Sequence, residues 1–216
     1  MQKTFIDLVK DYFRYLVEKY EFSIAQIRIS KSDPQINGRI EYNSSSTFVV
    51  VSGERGNISV IFGRLKDNER TNGIYKYFLS PSTVYEYISL SQTEKDLVCS
   101  LNPKDEETVI DILNTHRLKH KRINFNNLSE HVESNLQDYA VWLHKYAHPF
   151  LCGDFSDWLK LYEYKITVQR AAYIRSGKDE YVLHFLRLDE NGKPVHKRRR
   201  AFQASYDYLE KLREEY

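Results

Sequence analysis

The sequence predicts an α+β protein: an N-terminal helix packed on an antiparallel β-sheet, then a mostly helical half with a C-terminal β-hairpin. Three observations carry this. Apolar residues recur at helical spacing over residues 4–20. Short runs rich in β-branched residues, separated by turn formers, fill residues 22–65. From Ser80 onward, proline-led helix starts replace strand signals. A helix laid on an antiparallel sheet hides one face of each.

In the first element Phe5, Leu8, Val9, Tyr12, Leu16 and Tyr20 form the apolar stripe, and Phe13 and Val17 widen it. Thr4 is placed to cap its start, and the helix is expected to end near Tyr20-Glu21. Phe22 to Ile29 and Gly38 to Tyr42 read as strands, the second closed by Asn43-Ser44-Ser45-Ser46. TFVVVS, Thr47 to Ser52, and NISVIFGRL, Asn57 to Leu65, flank Gly53-Glu54-Arg55-Gly56 and make the best hairpin in the chain. A polar loop, Lys66 to Gly73, leads to IYKYFL, which reads as a last strand.

Ser80-Pro81 and Asn102-Pro103 each set a cap residue before a proline at a first helical position. After the second pair, Val109, Ile112, Leu113 and His116 share a face. A further helix runs from about Ser129, burying Val132, Leu136, Tyr139, Leu143, Tyr146 and Phe150. Gly153 stops it, and Asp154 or Ser156 is expected to cap the next, which carries Trp158, Leu159 and Tyr162. YVLHFLRL suggests a strand of a hairpin over residues 180–202, with a helix ending at Leu188 as the alternative. A two-residue turn at Asn191-Gly192 would set Leu188 against Val195 and Arg187 against His196. SYDYLEKLREEY closes the chain as an amphipathic helix. The suggested units are 1–92 and 93–216, with one continuous domain as the alternative, because no linker-like composition divides them.

The 216 residues are 41% hydrophobic and 29% charged, enough to build a core, and 17 are tyrosines, residues suited both to core edges and to interfaces. A net charge of +2 excludes a global nucleic-acid-like field, so such binding needs a local patch. Two cysteines are no disulfide framework, MQKTFIDLVKDYF lacks the apolar core of a signal peptide, and no apolar run spans a membrane. The expectation is a soluble, reduced, cytoplasmic protein without membrane contact.

Four stretches contain chemistry-bearing residues. Around HPFLCGDFSDW, residues His148 to Trp158, the preceding His144 falls with His148 and Cys152 at i, i+4 and i+8, a spacing that could hold zinc on one continuous helix. Against this, HExxH is absent, Pro149 interrupts the helix, and no fourth ligand is identifiable. A helix stop followed by a new cap explains the same residues. His116 and His120 sit among cations and suit a solvated helix C-terminus. Asp154 or Asp157 followed by Glu163-Tyr164-Lys165 is similar to a nuclease carboxylate-plus-ExK site, but DWLKLYEYK reads as helix, where that chemistry needs a strand. The strongest charge feature is Lys193, His196, Lys197, Arg198, Arg199 and Arg200, which with Lys119, Lys121 and Arg122 could meet phosphate or an acidic protein. Its alternative role is a solvated edge strand guarded by cations. Walker, Rossmann and GxSxG patterns are absent, so no cofactor, resident metal or catalytic residue is expected.

A leading helix ending in Tyr20-Glu21-Phe22, the hairpin TFVVVSGERGNISVIFGRL and the closing YAHPFLCGDFSDW together resemble bacterial immunity-type proteins, over about residues 4–165. Those are small cytoplasmic proteins encoded beside toxins. The resemblance implies stoichiometric, non-enzymatic binding of a protein partner, a toxin or a complex subunit. The segment from about Arg170 lies outside it. The alternatives are a nucleic-acid-binding component of a defence system, using the basic run, and a metal-dependent hydrolase or nuclease.

Overall fold

The first helix begins where the sequence sets it. In a computed structural model, which describes residues 3–67, 75, 77–99, 106–116, 127–177, 181–188, 194–200 and 203–216, Thr4 caps α1 (Phe5–Tyr12) in a capping box with Asp7. The expected single helix is divided: Phe13, at φ −102° and ψ 14°, separates α1 from α2 (Arg14–Tyr20). Phe13 is wholly buried and the apolar stripe continues past it, so periodicity gives no sign of the break. Glu21 ends α2 in the left-handed region, φ 57°.

The chain divides into two compact units. One combines residues Met1–Ile88 with Leu118–Ser156, the other Ser89–Arg117 with Asp157–Tyr216. Residues 118–156 therefore belong with the first helix and sheet, where the sequence suggests a single boundary at 92/93.

In the first unit β1 (Ser23–Ile29), β2 (Gly38–Asn43), β3 (Thr47–Glu54) and β4 (Asn57–Arg64) form an antiparallel sheet in that order. The β3–β4 loop is only Arg55-Gly56, both at positive φ. One face presents Ile40, Tyr42, Val49, Val51 and Phe62, all buried, to the helices. Gly38 and Gly53 line the same face, and a Cβ at Gly53 would come within 2.5 Å of the Phe5 ring, so their lack of a side chain lets α1 approach. The opposite face is covered too. Phe48 and Val50 pack with Tyr75, whose ring stacks on Phe48 at 3.7 Å. Glu41 is buried there, bonded by the Arg39 guanidinium at 2.9–3.0 Å. Burial on both sides accounts for the unalternating run Phe48-Val49-Val50-Val51.

IYKYFL is not the expected strand. Among its described residues only Leu79 bridges the sheet, pairing with Phe62 through two bonds of 2.8–2.9 Å. Ser80 then caps α3 (Pro81–Ser89), its hydroxyl accepting from Thr83 N–H. Asn127 caps α6 (Leu128–Tyr146), which follows α4 (Gln92–Cys99) and α5 (Glu106–His116) of the second unit in the chain. It buries Val132, Leu136, Ala140 and Leu143, while Tyr139 and Tyr146 stay half-buried. Tyr15 ties α2 to it by donating to Ala140 O at 2.9 Å. The short α7 (His148–Leu151) follows.

The second unit holds α4 (Gln92–Cys99), α5 (Glu106–His116), α8 (Trp158–Arg175), the strands β5 (Tyr181–Leu188) and β6 (Pro194–Arg200), and α9 (Gln203–Glu215). Trp158 is wholly buried and its indole N–H donates to the Tyr208 hydroxyl at 3.0 Å, which fixes α8 to α9. Ser91 and Glu94 form a capping box at α4. Residues 181–188 form a strand and not a helix, but the register differs from expectation. Leu188 pairs with Pro194 and Arg187 with Val195, and a shift between Phe185 and Arg187 brings Phe185 opposite His196. Asn102-Pro103 and Asn191-Gly192 lie outside the described residues.

Candidate functional site: a histidine–tyrosine clamp and an open sheet edge

At the corner expected to end a helix, Gly153 does so at φ 83°, its N–H bonding to Phe150 O. Thr47 of β3 donates to the same carbonyl at 2.7 Å, pinning the corner to the sheet. Asp154 does not cap α8. Its Oδ1 accepts from Ser156 N–H at 2.9 Å, a turn ahead of the helix, and that bond holds its carboxyl below the usual carboxylate range. The first helical bond of α8 runs instead from Leu161 N–H to Asp157 O.

The two histidines of this corner meet a residue the sequence does not connect to them. The Tyr20 hydroxyl, at the end of α2, lies 3.1 Å from His144 Nδ1 and 2.7 Å from His148 Nδ1. A neutral hydroxyl carries one proton, so it donates to one ring nitrogen and accepts from the other. The histidines therefore occupy opposite tautomers whenever both are neutral. The Tyr15 ring packs on His144 at 4.9 Å. Burial, then the nearby Lys19 and His148, lower the His144 pKa below the ordinary imidazole value.

Cys152 is a free, exposed cysteine beside His148. Its Sγ is 3.8 Å from His148 Nδ1 and 4.0 Å from Nε2. Both distances are at the long end even for a sulfur hydrogen bond. Among the described residues no group of three or more His, Cys, Asp or Glu could hold a metal ion. His116 is half-buried and not a solvated end: its Nε2 is 3.2 Å from Glu94 Oε1. Ser91, first by its hydroxyl and then by its N–H, and next His116, hold the Glu94 pKa at about 2. Glu163 lies on α8, a helix, with its carboxylate bonded by Arg213 at 2.9 Å.

The basic run falls on β6. His196 pairs with Phe185, Lys197 with His184, Arg198 with Leu183, Arg199 with Val182 and Arg200 with Tyr181. Lys193, Lys119, His120, Lys121 and Arg122 lie outside the described residues.

The feature sequence spacing could not show is β1. It is an edge strand, and among the described residues only β2 pairs with it. Six of its seven residues are exposed. Ile24, Ile27 and Ile29, opposite Tyr42, Ile40 and Gly38, extend the helix-covered face of the sheet beyond its buried part, yet they are 42%, 38% and 62% exposed. Val17 of α2 is exposed as well. Three isoleucines in an apparent strand signal burial; nothing in their spacing marks the strand as an edge.

No protein-family model, curated protein or solved structure matches the chain. No helix among the described residues is long and apolar enough to cross a membrane.

Proposed function

We propose that this chain is a non-enzymatic binding protein that engages a protein partner, in the manner of an immunity-type protein, through the outer edge of β1. One observation carries the proposal: an edge strand whose outer side is unpaired among the described residues and whose isoleucines are exposed. Edge strands are ordinarily guarded against association by proline, by several charges or by covering elements. β1 has no proline and a single charged residue, Arg28, and its one guard is a bulge between Ile24 and Gln26. Adding a partner strand would satisfy the open backbone groups and cover the isoleucines together.

The test is co-purification from the native host with wild-type protein and with Ile27→Asp. A stoichiometric protein partner that the wild type retains and Ile27→Asp loses, at unchanged thermal stability, is expected. Retention by both proteins, or no stoichiometric protein with either, refutes the proposal.

The nucleic-acid alternative rests on the cations of β6. It predicts filter binding that weakens steeply with salt and disappears when Arg198, Arg199 and Arg200 become Ala. Binding indifferent to both changes eliminates it.

A further inference from the structure

The chemistry of the β1 edge also specifies what should lie on it. We infer that the occupant is an extended segment of a different protein that sets apolar residues beside the isoleucines and a carboxylate beside Arg28; this rests on the protein-binding reading above.

The two sides of β1 differ. Ile27 and Ile29 belong to the side of Ile40 and Gly38, which the helices cover, and Gln26 and Arg28 to the side of Glu41 and Arg39. A strand paired with β1 therefore brings residues to the two sides in turn, every second one beside isoleucine. Those positions call for apolar side chains.

The intervening positions are set by Arg28. It stands directly opposite Arg39, and like charges across a strand pair are unfavourable. Arg39 has its guanidinium engaged by the buried carboxylate of Glu41, so its charge is already matched. The Arg28 guanidinium has neither ion pair nor hydrogen bond among the described residues. A carboxylate on the incoming strand, beside Arg28, supplies the missing opposite charge.

A second copy of this chain does not fit. An antiparallel two-fold pairing of β1 with itself must bring like sides together. Centred on Ile27 it sets Arg28 against Gln26; centred on Arg28 it sets Arg28 against Arg28. Centred on Gln26 it would oppose Ile24 to Arg28, which the shift between Ile24 and Gln26 places on different sides. None of these supplies a carboxylate.

The probes are two capped peptides, one alternating valine with glutamate and one alternating valine with lysine, titrated into the full-length protein by fluorescence anisotropy. The expected result is saturable binding of the glutamate peptide only. Arg28→Glu should weaken it about tenfold and confer binding of the lysine peptide. Equal binding of both peptides, no binding of the glutamate peptide at millimolar concentration, or indifference to Arg28→Glu overturns the inference. So does a wild-type dimer in light scattering that Ile27→Asp dissociates. If the host partner is lost with Ile27→Asp but kept with Arg28→Glu, the charge inference fails while the protein-binding reading stands.

Discussion

Tyr20 gives the clearest instance of chemistry at the scale of single residues. Its hydroxyl joins the end of α2 to His144 and His148, 124 and 128 positions away. Replacing Tyr20 with Phe removes both bonds and should cost about 1–2 kcal/mol, read by chemical denaturation. The lowered pKa of His144 sets a pH dependence with a definite sign. The unfolded chain takes up the proton first as pH falls through the ordinary imidazole value. Stability therefore declines from about pH 7 towards 5.5, before carboxylates titrate. His144→Gln should flatten the denaturation midpoint over that window; an unchanged slope would assign it elsewhere. Arg55 is a second residue-scale case. It holds φ 53° in a two-residue hairpin loop, where Asn is favoured, so Arg55→Asn should stabilise by about 0.5–1 kcal/mol in the same assay.

Elements show how far local signals reach. Thr4 as a cap, the β3–β4 hairpin, Ser80-Pro81 and Gly153 were all legible, because each is decided by a few neighbouring residues. Ser91 and Glu94 are a capping box whose spacing is also plain in the sequence, although the helix start there was not anticipated. The misses have tertiary causes. Phe13 interrupts the first helix without interrupting its apolar stripe. IYKYFL has strand-like composition but serves mainly to set Tyr75 over Phe48. The β5–β6 register shifts at a bulge that no turn motif encodes. On α8, Lys165 is partly buried with its Nζ 5.0 Å from the Tyr162 ring centre, and burial lowers its pKa to about 8. The folded state thus loses its proton before the unfolded chain does. Stability of this unit should rise between about pH 8 and 10, and Lys165→Met should abolish that rise in a pH series of melts.

For the molecule as a whole, function is less legible than fold because the decisive quantity is exposure. The α+β class follows from periodicity, and the four-stranded sheet lies where the pattern indicates. Ile24, Ile27 and Ile29 carry the same apolar signal as the core residues Val49 and Val51. Only the strand order, with β1 outermost, separates an open edge from a core. The cation run, conspicuous in the sequence, lies on a two-stranded ribbon of the other unit. The two features thus assign binding to different parts of the chain, and backbone amide exchange of the protein with its co-purified partner separates them. The account predicts slowed exchange at Gln26 to Ile29, with residues 194–200 unchanged. Slowed exchange at 194–200 with β1 still exchanging freely would contradict it.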